Sequence, residues 1–319
     1  MGEAKTHTFE AIPIGAVPVL LTPLNARNEV DLDALDAIVD LYVGAGVAGL
    51  FTSCLSSEVF HLSPEERLDV TKRVCELVDG RVAVVAGGNF GETIEEQARG
   101  LAGVYEAGAD AAVAIVSVLP SPERLGDQLM RLAELTSVPL GVYECPEPEH
   151  RLLSPEEVGT IAVSGRFVFM KEASRKVDIC AQKLVMAKGT PLRIFQANLL
   201  CTPDTIALGA YGHAGVIANI CPELCQAYCD GSVTDPDRNR RIYESMQLIH
   251  DLMVGHSYPA SGKYILHKRG LPITSFCRTV ETGQFSKEDR RVIDSFLQHF
   301  DFSEPLSDDQ LLDLRAAIS

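Results

Sequence analysis

Short apolar runs alternate with amphipathic stretches from residue 16 to residue 219 of the chain. Each run is six or seven residues of mostly β-branched, aromatic or small apolar side chains, which is typical of a strand buried on both faces. This pattern predicts eight strands, at residues 16–22, 48–53, 82–87, 111–117, 139–144, 167–172, 192–197 and 214–219.

The segments between these runs have the period of an amphipathic helix. The segment 93–108 carries an apolar stripe at Ile94, Ala98, Leu101 and Tyr105, and the segment 31–46 is similar. Three further positions combine a hydroxyl residue with a glutamate three residues later, which predicts a capped helix start. These caps are Ser63, Thr93 and Ser154.

Eight strands alternating with helices predict a closed (β/α)8 barrel. The alternative is an open doubly wound sheet, which usually has a glycine-rich turn after its first strand, and no glycine follows here. After residue 235 the strand pattern stops and only helical patterns remain. We therefore expect a catalytic barrel over residues 12–235 and a C-terminal helical appendage over residues 236–319.

Composition narrows the class of protein. The 319 residues carry a net charge of −16, which disfavours nucleic acid and anionic membranes as partners. No apolar run is long enough for a membrane span, and the N-terminus lacks a secretory pattern. The nine cysteines are irregularly spaced, as expected for reduced thiols in a cytoplasmic protein.

The run Phe167–Met170 leads directly into Lys171, at the predicted carboxyl end of strand six. In such barrels the catalytic side chains lie at these strand ends. An amine held among apolar groups has a lowered pKa and can attack a carbonyl to form a Schiff base. The alternative is that Lys171 reaches solvent or pairs with Glu172.

Tyr143 occupies the same end of strand five, beside Lys171. A phenol there can move protons during imine formation, although a tyrosine packed in the core is equally consistent with the pattern. After strand two, the segment 53–67 brings hydroxyls and backbone N–H groups to a strand end, where they could hold a carboxylate. The glycines of 209–215 allow either close substrate approach or a tight turn.

These segments occur in the order typical of one family. The chain resembles the dihydrodipicolinate synthase / N-acetylneuraminate lyase family of class I aldolases, from about residue 12 to about residue 300. "FMKEAS" resembles the family's Schiff-base motif and implies that Lys171 forms the imine. "GVYECP" implies that Tyr143 relays protons, and "AGVIAN" implies that Ile217 lies by the substrate. The resemblance also implies a pyruvate-like 2-oxo acid substrate, no cofactor, and a homotetramer built as a dimer of dimers.

The chain departs from the family at several positions. The family's Gly-x-x-Gly-Glu segment is here Cys54-Leu55-Ser56-Ser57-Glu58, without glycine. Leu55 replaces the relay threonine, whereas Ser56 matches the carboxylate-binding hydroxyl and Ser57 the second glycine. We assign Ser56 and Ser57 to carboxylate binding.

The synthase has an aromatic residue near the end of strand four, and this chain has none there. Pro148 occupies the position of the synthase's substrate-binding arginine, and Arg151 is close to that position but displaced. An authentic dihydrodipicolinate synthase is therefore not expected. The loop after strand five carries Glu144, Glu147 and Glu149, and such an acidic loop suits a cationic or polyhydroxylated aldehyde or is simply solvated.

Two other groups of side chains could bind a metal ion. Cys221, Cys225 and Cys229 recur every four residues, but this spacing matches no common ligand pattern and buried cysteine packs well. Glu144, Glu149 and His150 lack the spacing of a known motif. We expect no metal site at either.

The sequence thus predicts a Schiff-base lyase or dehydratase acting on pyruvate or a related 2-oxo acid or sugar acid. Two alternatives stay open. One is a non-catalytic family member that binds a 2-oxo acid or regulates another protein. The other is a metal-dependent aldolase on the same fold, which a chelator would inactivate.

Overall fold

The structure, a computed structural model, describes residues 12–120, 124–281 and 283–318. Within these residues eight parallel strands form one sheet, in the order β1-β8-β7-β6-β5-β4-β3-β2. The strands are β1 (Gly15–Ala16), β2 (Gly49–Thr52), β3 (Ala83–Gly87), β4 (Ala111–Ile115), β5 (Leu140–Tyr143), β6 (Phe167–Glu172), β7 (Arg193–Gln196) and β8 (Gly212–His213).

The ends of this sheet meet, because β1 pairs with β8 and a parallel bridge joins Val19 to Phe51 of β2. Helices connect successive strands, so the predicted (β/α)8 barrel is confirmed. The connecting helices are α1 (Leu32–Gly44), α2 (Pro64–Val78), α3 (Ile94–Glu106), α4 (Leu125–Leu135), α5 (Pro155–Val163), α6 (Val177–Ala187) and α7 (Thr202–Ala207), and α8 (Pro222–Cys229) follows β8.

The predicted helix starts are confirmed by their hydrogen bonds. The side chains of Ser63, Thr93 and Ser154 each accept the backbone N–H of the glutamate three residues later, and that glutamate bonds back to the cap. These reciprocal bonds satisfy N–H groups that a helix start otherwise leaves unpaired.

The prediction of strand eight at 214–219 is wrong. Pairing ends where the Ala214 N–H donates to the Gln196 carbonyl at 2.8 Å, and Val216–Asn219 then form a short 3-10 helix. A short apolar run cannot distinguish a strand from a tight helical turn. Strand one is also shorter than the predicted 16–22, since Pro18 has no N–H to donate to a ladder.

Four further helices follow the barrel: α9 (Pro236–Gly255), α10 (Ala260–Lys268), α11 (Lys287–Leu297) and α12 (Asp308–Ile318). Their buried side chains, such as Ile249 and Phe296, share one apolar cluster with Leu35 of α1 and Val74 of α2. The C-terminal helices therefore pack directly on the barrel wall. Among the described residues, no helix is both long and apolar enough to cross a membrane.

The barrel interior is a separate apolar cluster with an aromatic layer near its carboxyl end. The rings are Phe51 of β2, Tyr143 of β5, Phe169 of β6 and Phe195 of β7. Neighbouring rings lie 5.5–5.7 Å apart between centroids, a normal spacing for packed aromatic pairs. This layer excludes water from beneath the strand ends.

Candidate active site

Lys171 points into the barrel from the carboxyl end of β6. It follows Phe169 on the inward face, and its side chain is only 5% exposed. Its Nζ lies 4.4 Å from the centroid of the Tyr143 ring and 5.8 Å from that of Phe51. Burial lowers the pKa of this ammonium, while the nearby thiols of Cys54 and Cys145 oppose the shift weakly. The arrangement favours the neutral amine that a nucleophile needs.

The alternative in which Lys171 pairs with Glu172 is excluded by the geometry. Glu172 points to the outer face of the barrel, where its carboxylate accepts hydrogen bonds from Lys183 Nζ at 3.1 Å and from Gln196 at 2.9 Å. Lys171 and Glu172 are adjacent in a strand, so their side chains lie on opposite faces of the sheet.

Tyr143 is the register partner of Lys171 across β5 and β6. The side chain is 3% exposed. Burial, followed by the nearby Cys145 and Cys54, raises the pKa of the phenol well above its usual value. Tyr143 therefore keeps its proton near neutral pH and can donate it to an oxygen formed next to Lys171.

A buried ion cluster lies directly behind these two residues. Lys183 of α6 is fully buried and reaches Glu144 Oε1 at 2.6 Å as well as Glu172 at 3.1 Å. Glu144 also accepts the backbone N–H groups of Leu153 and Ala173. Lys183 thereby joins the residues that follow Tyr143 and Lys171 and fixes the register between the two strands.

This cluster corrects the interpretation of the acidic loop after β5. Glu144 is fully buried and engaged by Lys183 and two backbone N–H groups, so it neither faces solvent nor is free to bind a metal ion. Only Glu147 and Glu149 of the three glutamates are exposed. Among the described residues, no three His, Cys, Asp or Glu side chains come together as a metal-binding group.

The turn after β2 contains the two serines assigned to carboxylate binding, Ser56 and Ser57. Their hydrogen bonding differs. Ser57 donates its hydroxyl to the Leu20 carbonyl at 2.6 Å and accepts from the Cys54 N–H, and its own N–H donates to the Cys54 carbonyl. Both donors of Ser57 are thus occupied, which argues against a carboxylate contact there. Ser56 is 6% exposed, and its hydroxyl makes no bond to a backbone carbonyl within the described ranges, so Ser56 stays the candidate.

Glu58, which follows Ser57, connects this turn to the C-terminal region through hydrogen bonds. Its carboxylate accepts Lys263 Nζ at 2.6 Å and both the N–H and the hydroxyl of Thr279 at 2.8 and 2.9 Å. Burial opposes its ionisation, but Lys263 and Thr279 outweigh burial and hold the pKa of Glu58 below its usual value. Contacts from the C-terminal region therefore stabilise the turn after β2 that contains Ser56.

Four polar residues of the structure were not singled out from the sequence. Ser53 and Thr22 are buried with hydroxyls that make no hydrogen bond among the described residues, and the same is true of the Asn219 Oδ1. Tyr258, after α9, accepts a hydrogen bond from Asn219 Nδ2 at 3.2 Å. Asn219 and Tyr258 are 39 residues apart in sequence, so no local pattern predicts their contact.

Ile217, which the resemblance places by the substrate, and Arg151, which is displaced from the family's arginine position, are each held by contacts of their own. The Ile217 side chain is fully buried in the cluster between the barrel wall and the C-terminal helices, and it is not part of the interior cluster. Arg151 donates to the carbonyl groups of Val116 and Leu119 and so braces the loop after β4.

The cysteines recurring every four residues are core side chains. Cys221, Cys225 and Cys229 are at most 3% exposed and belong to the same apolar cluster as α9. Burial raises the pKa of the Cys221 thiol, which disfavours the thiolate form required of a metal ligand. The packing interpretation of these three residues therefore agrees with the structure.

Comparison with known proteins connects this geometry to a family. A family model described as the dihydrodipicolinate synthetase family matches residues 13–299. A 4-hydroxy-tetrahydrodipicolinate synthase from Legionella pneumophila subsp. pneumophila is 27% identical over 265 residues, which cover 81% of this chain and 89% of that protein. The corresponding enzyme from Pseudomonas syringae pv. syringae is 25% identical over 260 residues, covering 81% and 88%.

Solved structures agree on the fold. A crystal structure of a dihydrodipicolinate synthase superposes with a TM-score of 0.79 at 25% identity, covering 89% of this chain and 98% of that one. A prophage protein of the same family from E. coli K12 superposes with a TM-score of 0.78 at 22% identity, covering 89% and 97%. The match spans both the barrel and most of the C-terminal helices, so the chain belongs to the dihydrodipicolinate synthetase family of class I aldolases, which are lyases.

Proposed function

We propose that this protein forms a Schiff base between Lys171 and a 2-oxo acid, and that it cleaves, condenses or dehydrates a pyruvate-derived substrate such as a sugar acid. The observation that carries the proposal is the position of Lys171. It is a buried amine with a lowered pKa, it forms no ion pair with a described carboxylate, and it lies 4.4 Å from the ring of Tyr143.

The related structures support a 2-oxo acid as the ligand. The E. coli K12 prophage protein and a synthase from Acinetobacter baumannii were each solved in complex with pyruvate. At 22% identity these proteins share the fold with this chain, and the substrate is proposed from its own residues. We also expect the protein to be cytoplasmic and to form a homotetramer, as the resemblance implies. Light scattering can test the tetramer.

The chemistry follows from the positions of three side chains. Neutral Lys171 adds to the C2 carbonyl of the 2-oxo acid, and the resulting alkoxide takes a proton from Tyr143 to give a carbinolamine. Loss of water then leaves a protonated imine. This cation draws electrons from the C3 substituent, so a C3–H bond can break, with its proton passing to the Tyr143 phenolate, or a C3–C4 bond can break; either gives an enamine. Ser56 holds the carboxylate during these steps.

The second candidate is a protein that forms the imine but does not turn over. Leu55 favours it, since an aliphatic side chain stands where family members usually have a hydroxyl that passes protons onward from the tyrosine. Lys171 and Tyr143 would then capture a 2-oxo acid without a route for further proton transfer. The two candidates differ only after the imine has formed.

Deuterium exchange at the methyl group of pyruvate separates these functions. Proton NMR in D₂O measures loss of the methyl signal, which requires the imine, the enamine and a proton carrier but no aldehyde partner. A lyase exchanges this methyl group far faster than buffer or a Lys171→Arg variant does. Exchange at the buffer rate, with pyruvate still captured on Lys171, would leave the non-catalytic candidate. A panel of 2-oxo sugar acids, assayed for pyruvate release, then identifies the substrate.

A further inference from the structure

The ladder between β5 and β6 is short and irregular where it carries the two catalytic candidates. Between Leu140 and Gly141 the register shifts by one residue, so Val168 of β6 has no partner in β5. Three pairs follow the shift, and the last of them joins Tyr143 to Lys171. An unpaired residue disrupts a ladder locally. The register of the last three pairs is therefore only weakly set by the pairing below them.

This register decides whether the phenol faces the amine. Successive side chains of a strand point to opposite faces, so a slip of one residue moves every side chain of that strand to the other face. A slip of β5 would take Tyr143 out of the barrel interior and bring Glu144 into it. The final backbone bond of the ladder, from the Glu144 N–H to the Lys171 carbonyl, is long at 3.3 Å. A contact outside the ladder is needed to hold this pair in register.

The Glu144 carboxylate supplies such a contact across the ends of both strands. Its Oε2 accepts the Ala173 N–H at 3.1 Å, two residues beyond Lys171, and its Oε1 accepts the Leu153 N–H at 2.9 Å. The carboxylate therefore continues the pairing of β5 and β6 past their last backbone bond. It also closes the loop that leads from β5 to α5.

Lys183 makes this contact specific for one register. Its Nζ bonds Glu144 Oε1 at 2.6 Å and Glu172 Oε1 at 3.1 Å, and all three side chains are fully buried. Glu172 also accepts the Gln196 Nε2–H at 2.9 Å. A slip of one residue in either strand would move one glutamate away from the ammonium and leave a buried charge without its partner, which is strongly unfavourable. The three charges therefore disfavour the neighbouring registers.

We propose that Lys183 is a positioning residue for proton transfer. Through Glu144 and Glu172 it locks the register in which the Tyr143 phenol faces Lys171. This inference rests on the proposed function and deepens it, because it gives a side chain outside the barrel interior a role in the reaction. It also differs from stabilisation alone, since it predicts a slower reaction in molecules that have folded and captured pyruvate.

The test measures exchange of the pyruvate methyl group per captured lysine in Lys183→Met, at saturating pyruvate. Proton NMR in D₂O gives the exchange rate, and borohydride reduction with intact-mass measurement gives the fraction of molecules that have captured pyruvate. The ratio of the two removes the contribution of unfolded molecules. Because a misplacement of 1 Å can cost about 10²-fold in rate, we expect this ratio to fall about 10- to 100-fold. The concentration of pyruvate that half-saturates capture should stay unchanged.

A double-mutant cycle asks whether Lys183 acts through Tyr143. Tyr143→Phe removes the phenol that Lys183 is proposed to position, so adding Lys183→Met to that variant should cause no further fall. Glu144→Asp keeps the charge but retracts the carboxylate by one bond, and it should show a smaller fall of the same kind. This variant carries the test if Lys183→Met does not fold. Lys188→Met, at an exposed position just after α6, is the matched control and should behave as the wild type.

Two results would overturn the positioning role. One is a wild-type exchange rate per captured lysine in both Lys183→Met and Glu144→Asp, which would leave the ion cluster with a role in stability alone. The other is an equal fall with and without the Tyr143 phenol, because Lys183 would then act independently of it. In both cases the Schiff-base function stands, since the wild-type protein still captures pyruvate and exchanges its methyl group. Absence of capture or of exchange in the wild type would instead overturn the proposed lyase, and this inference with it.

Discussion

Lys171 and Tyr143 face each other as register partners at the carboxyl ends of two adjacent strands, with the amine 4.4 Å from the centre of the phenol ring. This pairing places a nucleophile and a proton donor on one side of a site whose interior is aromatic. Behind the barrel wall, Lys183 bonds the glutamates that follow each of them. The two catalytic candidates are thus oriented by the sheet and by an ion cluster on the outer face of that sheet.

The lowered pKa of Lys171 predicts how capture of pyruvate depends on pH. Burial favours the neutral amine, so the neutral fraction grows over a pH range below the ordinary lysine value of 10.5. The rate of adduct formation with pyruvate should rise with pH and level off before pH 10.5 is reached. Intact-mass measurement after borohydride reduction across the stable pH range gives this profile. A rate that keeps increasing through pH 10.5 would contradict a desolvated amine.

Removal of the phenol at position 143 should slow proton transfer more than ligand binding. Tyr143→Phe retains the ring over Lys171 but loses the proton donor, and general acid–base catalysis is typically worth about 10²- to 10⁴-fold. Deuterium exchange of the pyruvate methyl group should fall within that range, while the final amount of trapped adduct is unchanged. Equal exchange rates in the variant and the wild type would assign Tyr143 to packing alone.

The buried ion cluster should be essential to stability. Lys183→Met leaves Glu144 and Glu172 facing each other in the interior without a cation, and breaking a buried pair typically costs about 3–5 kcal/mol. Chemical denaturation should show a loss of that size. Lys188→Met, at an exposed position just after the same helix, is the matched control and should change the free energy of unfolding by less than about 0.5 kcal/mol.

Glu58 should make stability depend on pH at the acidic end. Its folded pKa is lowered, so the unfolded chain binds the proton more tightly than the native protein does. The stabilisation is complete above the unfolded value of about 4.5 and is lost as pH falls through the folded pKa. Glu58→Gln should be less stable at pH 7, and its unfolding free energy should depend less on pH below 4.5.

The control for this prediction is Glu106→Gln, since Glu106 is exposed on α3 and lies outside the site. It should keep the pH dependence of the wild type. If Glu58→Gln and the wild type lost stability in parallel on acidification, the attachment of the C-terminal helices would have to depend on other contacts.

Much of the barrel could be predicted because most strands and the capped helix starts are encoded locally. Apolar runs and hydroxyl caps need no knowledge of distant residues. Lys171 lies at the carboxyl end of β6 as predicted, because a charged residue directly after an apolar run indicates a strand end. The run at 214–219 was misassigned because Gly215 ends the pairing and the residues after it turn, which depends on packing against α8 and α9 and not on the run itself.

The rest of the site depends on contacts between distant segments. Lys263 meets Glu58 across 205 residues of sequence. The buried state of Glu144 depends on Lys183, 39 residues away. Local sequence patterns do not encode contacts between distant segments. The burial of Glu144 and the contact of the C-terminal helices with the turn after β2 therefore could not be predicted.

The most direct test of the account is to locate a trapped imine. The wild-type protein is incubated with pyruvate, reduced with borohydride, digested and mapped by mass spectrometry, alongside Lys171→Ala. The account predicts one adduct, on the peptide that contains Lys171, and none in the variant. An adduct on another lysine, or no adduct with pyruvate or with longer 2-oxo acids, would contradict the assignment of Lys171 as the imine-forming residue.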